Sequence, residues 1–214
     1  METLTGLLKK GQEILVQAGI EEAGLDARLL LEYITGKSRA YYLAHGEECV
    51  TKETADRYLE LVTGRSQHIP LQHLTHQAFF MGYEFYVNED VLIPRQDTET
   101  LVEEALRLLK GRQKPRVLDM CTGSGCILTS ILLEVPDASG TGADLSEKAL
   151  KVAACNARRL QTADRAEFVK SDLFSSEYFS GSVYDVLISN PPYIPTEEIE
   201  GLMEEVRLHD PRMA

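Results

Sequence analysis

Apolar positions recur at helical spacing from the beginning of the chain. Leu4, Leu7, Leu8, Gly11, Ile14, Leu15 and Ala18 share one face, and Gly19 stands where a helix C-terminal cap belongs. A second apolar face carries Ala27, Leu30, Leu31 and Ile34 and stops at Gly36. Ser38 is placed to cap a short third helix through Leu43 and Ala44, and Thr51, followed by Thr54, to open a fourth through Tyr58, Leu59 and Val62. The pattern predicts a small helical bundle over residues 1–70, ended by Pro70.

The periodicity then changes. Ala78-Phe79-Phe80 and Tyr83 to Val87 flank Met81-Gly82, which reads as a hairpin inside a linker over residues 71–95. A helix is expected from about Thr98 through Leu109. After it, short apolar runs alternate with helical ones: strands at Arg116–Met120, Thr141–Asp144, Ala166–Lys170 and Tyr184–Ser189, with helices Ile127–Leu133 and, capped by Ser146, through Leu160. Such alternation implies a right-handed, parallel α/β sheet over residues 96–214, Rossmann-like in layout. Ligands of these sheets bind outside the carboxyl ends of the strands. The turn Gly123-Ser124-Gly125, Asp144, Asp172 and Asn190 all fall there.

The turn Asp119 to Gly125 follows a strand and opens a helix, and its glycines let the backbone come close to a ligand. A dinucleotide fingerprint needs a third Gly where Leu128 stands, and a phosphate loop needs a Lys that is missing. That leaves a nucleoside ligand without pyrophosphate. Asp144 is placed for ribose hydroxyls, Asp172 for an adenine amino group, and Asp119 to order the loop or approach a methionine moiety. One such acid alone reads as a helix cap or turn former, but three at three strand ends beside a Gly turn point to S-adenosylmethionine.

Asn190-Pro191-Pro192-Tyr193 supplies the candidate chemistry. Two prolines hold an extended chain and leave the Pro191 carbonyl free to accept, beside the Asn190 side-chain oxygen. Tyr193 offers a ring face. Two acceptors on a planar NH2 group fix its orientation and stabilise the charge that grows on nitrogen as a methyl arrives. No strong base is needed first, because the product nitrogen is acidic.

Composition narrows the partners. The net charge is −12, from 34 acidic and 22 basic residues, which disfavours phosphate backbones as the main partner. The N-terminal segment lacks the apolar core of a signal peptide, and no run approaches a membrane span. Cys49, Cys121, Cys126 and Cys155 form no CxxC pair and have no His at metal-ligand spacing, which fits reduced thiols in the cytoplasm and no metal.

The chain resembles the release factor glutamine methyltransferases (the PrmC/HemK family). The resemblance rests on Pro70 to Thr75, on Leu92-Ile93-Pro94-Arg95-Gln96-Asp97-Thr98-Glu99, on Val117-Leu118-Asp119, on Asn190 to Tyr193, and on the tail with Val206, Asp210-Pro211 and Ala214. It implies a class I S-adenosylmethionine-dependent methyltransferase domain preceded by a helical bundle. It places the cofactor on Cys121, Thr122, Gly123, Ser124, Gly125, Asp144, Asp172, Leu173 and Asn190, with Asn190, Pro191, Pro192 and Tyr193 holding the substrate glutamine. The substrate implied is the Gly-Gly-Gln loop of release factors, docked with help from the bundle. Cys121 and His76 stand where the family often has Gly, and Gln96 where Pro is common; Cys121 is expected to keep a negative φ. Family members continue beyond Ala214, so a truncated chain with an incomplete sheet is also expected. The competing readings are an adenine amino-group methyltransferase on DNA or RNA and an inactive cofactor-binding fragment.

Overall fold

A computed structural model of the 214-residue chain describes residues 2–193, 201, 204–209 and 211. It divides into two compact units, Met1–Thr75 and His76–Ala214.

The first unit is helical: α1 (Leu4–Gln17), α2 (Ala23–Thr35), α3 (Arg39–His45), α4 (Lys52–Ser66) and α5 (Leu71–Thr75). Its core gathers Leu7, Leu15, Leu30, Leu31, Tyr58 and Val62. Gly11 is not an apolar stripe residue by accident. A Cβ there would lie 2.0 Å from the Tyr58 hydroxyl, which donates to the Ala27 carbonyl at 3.1 Å. Packing Tyr58 therefore offsets the ~0.5–1 kcal/mol that glycine costs inside a helix. Two charges are buried together: Arg65 Nε donates to Asp26 Oδ2 at 2.7 Å, joining α4 to α2.

Two details depart from the pattern-based expectation. Thr51 caps α4 as expected, accepting from Thr54 N at 3.1 Å, but Ser38 makes no side-chain cap. Pro70 begins a helix instead of ending the bundle. Its carbonyl accepts from the amides of His73 and Leu74, and its fixed φ suits a helix start.

In the second unit β1 (Gln77–Phe80) and β2 (Tyr83–Tyr86) form an antiparallel hairpin with Phe80 opposite Tyr83. Met81 and Gly82 both have positive φ, at 52° and 78°, the conformation that matches the twist of a two-residue hairpin. The hairpin is not a free linker, because Phe80 and Phe85 are buried in the core of this unit with Val102, Leu109, Leu128 and Ile131. Next come α6 (Glu99–Leu109), β3 (Arg116–Met120), α7 (Cys126–Glu134), β4 (Ser139–Asp144), α8 (Glu147–Arg159), β5 (Ala166–Lys170), β6 (Val186–Ser189) and α9 (Glu204–His209).

The sheet has the order β5-β4-β3-β6 and every pair is parallel. Alternation sends Val117, Val186 and Ile188 into the core with α6 and α7, while Leu118, Met120 and Ala143 pack on the other face with Phe179 and Tyr184. The chain runs outward from β3 through β4 to β5 and then returns to β6 on the opposite side of β3. That reversal is where a parallel sheet opens a crevice at its carboxyl edge. β6 starts at Val186, two residues later than the apolar run suggests. At Asp185 the backbone N–H donates to the Arg116 carbonyl at 2.8 Å while the side-chain carboxylate accepts the Arg116 N–H at 2.9 Å.

Candidate active site

The turn after β3 is built by hydrogen bonds that leave little freedom. Thr122 N donates to the Ala143 carbonyl at 3.0 Å, and Gly125 N donates to the Thr122 carbonyl at 2.8 Å. The Thr122 hydroxyl donates to Asp119 Oδ2 at 2.6 Å, and Leu128 N reaches the same oxygen at 3.3 Å. Gly123 N donates to Asp144 Oδ2 at 2.9 Å, while Ser146 N donates to Asp144 Oδ1 at 2.9 Å. Two strand-end carboxylates thus hold the loop from below and from the side.

Their electrostatics differ. Asp119 is wholly buried and its Oδ1 has no hydrogen-bond partner among the described residues. Burial pushes its carboxyl up to about 7, against the lowering effect of Thr122 and Leu128, and the nearby Asp144 charge adds to the rise. Burial also raises the Cys121 thiol, and pushes Cys126 up to about 12, so Cys126 is a packed apolar group and not a nucleophile.

These residues open onto a cleft of about 560 Å³ at the switch point. Cys121, Thr122, Gly123, Ser124, Asp144, Asp172, Leu173, Asn190, Pro191 and Pro192 all line it. The wall fits a nucleoside joined to an amino acid in three respects. The volume is that of a small-molecule site. A Cβ at Gly123 would meet nothing within 4 Å, so the turn leaves open space where a ligand would approach. A carboxylate has about four acceptor positions, and Asp144 spends two on the protein, which leaves acceptors for a diol. Among the described residues no group of three or more His, Cys, Asp and Glu could hold a metal.

Residues 6–75 match the PrmC N-terminal domain and residues 97–206 the methyltransferase small domain. The release factor glutamine methyltransferase of Chlorobaculum tepidum is 38% identical over 215 residues, covering 97% of this chain and 73% of that protein. The chain belongs to this family. The release factor glutamine methyltransferase of Leptospira interrogans is 37% identical, covering 100% of this chain and 75% of that protein. A solved SAM-dependent methyltransferase from Geobacter sulfurreducens, in complex with S-adenosyl-L-homocysteine, is 30% identical over 40% of this chain and 32% of that one, with a TM-score of 0.31. The methyltransferase small domain and the all-parallel sheet make the fold that of an α/β, class I S-adenosylmethionine-dependent methyltransferase.

Two residues expected in this family's site are not on the cleft wall. Gly125, at φ 75°, turns away to start α7, and a Cβ on it would lie 2.9 Å from the Ala153 Cβ of α8. Its glycine serves helix packing. Tyr193 is 78% exposed. It is not among the residues that line the cleft.

Two further expectations are corrected or sharpened. Cys121 has φ 63°, not the negative value expected. The loop bonds at Thr122 and Gly123 impose that turn, at a cost of ~1–2 kcal/mol for a residue with a Cβ. His76, the other residue at a family glycine position, likewise has φ 55°; its ring stacks on Tyr86 and its Nδ1 lies 3.1 Å from the Val87 carbonyl.

The segment Asp90, Val91, Leu92, Pro94, Arg95 and Thr98 forms a whole side of the cleft and was not among the residues expected to do so. Its signal in the sequence was the Leu92 to Glu99 motif, which has no periodicity. From the tail, Pro211 also lines the cleft, whereas Asp210 and Ala214 lie outside the described residues.

Proposed function

We propose that the protein methylates the side-chain amide nitrogen of the glutamine in the Gly-Gly-Gln motif of peptide-chain release factors, using S-adenosyl-L-methionine. The observation that carries this is the meeting of Asn190, Pro191 and Pro192 with the loop Cys121 to Ser124 on one cleft. The names of the relatives give the substrate class, and they do not favour a nucleic-acid amino group.

When bound, the cofactor supplies a methyl group activated on a sulfonium. The chain's residues do the rest. The loop Cys121 to Ser124, Asp144, Asp172, Leu173 and Asn190 hold the cofactor, Asp144 through the ribose diol and Asp172 through the adenine. Asn190 Oδ1 and the Pro191 carbonyl accept the two amide hydrogens of the substrate glutamine. That fixes the nitrogen toward the methyl and stabilises the charge forming on it. Pro192 keeps the backbone extended, and Tyr193 presents its exposed ring to the substrate peptide. The proton leaves the acidic product nitrogen without a dedicated base. The helical unit docks the release factor, and the reaction takes place in the cytoplasm.

The test is incubation with unmethylated release factor and S-adenosylmethionine, followed by mass spectrometry of the Gly-Gly-Gln peptide. One added methyl on the glutamine, lost in Asn190→Ala, is expected. Transfer to nucleic acid and none to the factor would replace this reading.

A further inference from the structure

Asn156 takes no part in the chemistry above, yet it is fully buried on α8 and every polar atom of its side chain is engaged. Its Oδ1 accepts the Tyr86 N–H at 2.8 Å. Its Nδ2 donates to the Tyr86 carbonyl at 2.9 Å and to the Ser124 carbonyl at 2.9 Å. The assignment of the amide is forced, because only an NH2 group can serve two carbonyls and only the oxygen can serve an N–H.

These three bonds join parts far apart in sequence. Toward Tyr86, the last residue of β2, the carboxamide acts as a strand would, donating to and accepting from the same residue. Toward Ser124 it fixes one peptide plane of the turn that lines the cleft. Ala153, one helical turn earlier, packs against Gly125. Residues three apart share a helix face, so α8 holds the adjacent pair Ser124-Gly125 with one polar and one steric contact.

We infer that Asn156 is a positioning residue of the cofactor site, setting the Ser124 carbonyl and hence the path of the loop between Cys121 and Gly125. The inference rests on the reading of that loop as the cofactor site. Without Asn156 the buried Ser124 carbonyl and the half-buried N–H and carbonyl of Tyr86 lose this partner, and the loop is free to drift from the geometry that Asp144 completes. The effect falls on cofactor affinity and leaves recognition of the release factor alone.

The experiment is calorimetric titration of S-adenosylhomocysteine into wild type, Asn156→Ala, Asn156→Asp, Asp144→Ala and Leu109→Ala, all at a temperature where circular dichroism shows them folded. Leu109 is buried in the same unit and does not line the cleft, so its variant reports generic destabilisation. Asn156→Ala is expected to weaken binding about tenfold, as loss of one or two hydrogen bonds predicts, with Leu109→Ala within about twofold of wild type. Asn156→Asp keeps the volume and the acceptor for Tyr86 but cannot donate to Ser124 when ionised. It is expected to behave like Asn156→Ala and serves in its place if the alanine variant does not fold. In turnover, the KM for the cofactor rises while the KM for release factor stays fixed. Wild-type binding lost in Asp144→Ala but retained in both Asn156 variants would overturn this inference and leave the proposed function standing. No binding by wild type would instead remove the cofactor reading on which it rests.

Discussion

The backbone N–H of Gly123 donates to the Asp144 carboxylate at 2.9 Å, so the acid proposed to hold the cofactor also holds the loop that faces it. Asp144→Ala removes both roles. Loss of two charge-assisted bonds at ~1.5 kcal/mol each corresponds to a fall in S-adenosylhomocysteine affinity on the order of 100-fold. Asp144→Asn keeps one acceptor and should fall between the two. Affinity unchanged in Asp144→Ala would show that the nucleoside sits elsewhere.

Gly125→Ala tests the contact with α8. The new Cβ would lie 2.9 Å from the Ala153 Cβ, at a φ of 75° that alanine disfavours. A loss of about 1–3 kcal/mol is expected from urea unfolding. Adding Ala153→Gly relieves the clash but not the backbone strain, so recovery should be partial. Complete recovery would mean that φ contributes nothing.

Asp119 makes stability depend on pH. Its carboxyl is raised to about 7 by burial, so the folded state keeps a proton that the unfolded state releases near pH 4. The stabilising contribution is therefore complete below the unfolded value and is lost as pH rises toward 7, with a slope of at most about 1.4 kcal/mol per pH unit. Asp119→Asn removes this term. Urea unfolding from pH 5 to 8 should show wild type losing stability relative to the variant as pH rises; parallel curves would place the proton elsewhere.

The Asp26–Arg65 pair gives a prediction for the helical unit. Both side chains are about nine-tenths buried and 2.7 Å apart. Asp26→Ala removes the carboxylate from a buried guanidinium that still donates to the Ile69 carbonyl, and should cost up to about 3 kcal/mol. Asp26→Leu with Arg65→Met should cost less than Asp26→Ala alone. A cost for the double variant equal to that of the single would show that charge burial is not what makes Asp26→Ala expensive.

Strands β3 and β5 were legible residue for residue, because short apolar runs bounded by turn residues have a length and a period. The acids at strand ends were legible for the same reason, since topology alone brings Asp119, Asp144 and Asp172 to one edge. Asp90 to Thr98 escaped because an irregular segment has no period to read, and its place on the cleft follows only from how β2 and α6 pack. The positive φ of Cys121 escaped because a side chain there signals a negative φ, and the loop's hydrogen bonds overrule that preference. Leu128 stands where a dinucleotide fingerprint has its third Gly, and the structure shows how the larger side chain is accommodated. Gly140 on β4 supplies the missing space, since a Cβ there would lie 2.4 Å from the Leu128 Cδ1.

The order β5-β4-β3-β6 also has a consequence in time. β3 pairs with β4 across the register Val117 to Gly140, but with β6 across Val117 to Val186, a separation of 69 residues. During synthesis the first pairing can form long before the second, and closing the longer loop carries the greater entropic cost. A chain emerging from the ribosome therefore assembles β3, α7, β4, α8 and β5 around the Asp144 side of the crevice first. Asn190 follows β6, so the wall it lends to the cleft is added after the Asp144 side has formed.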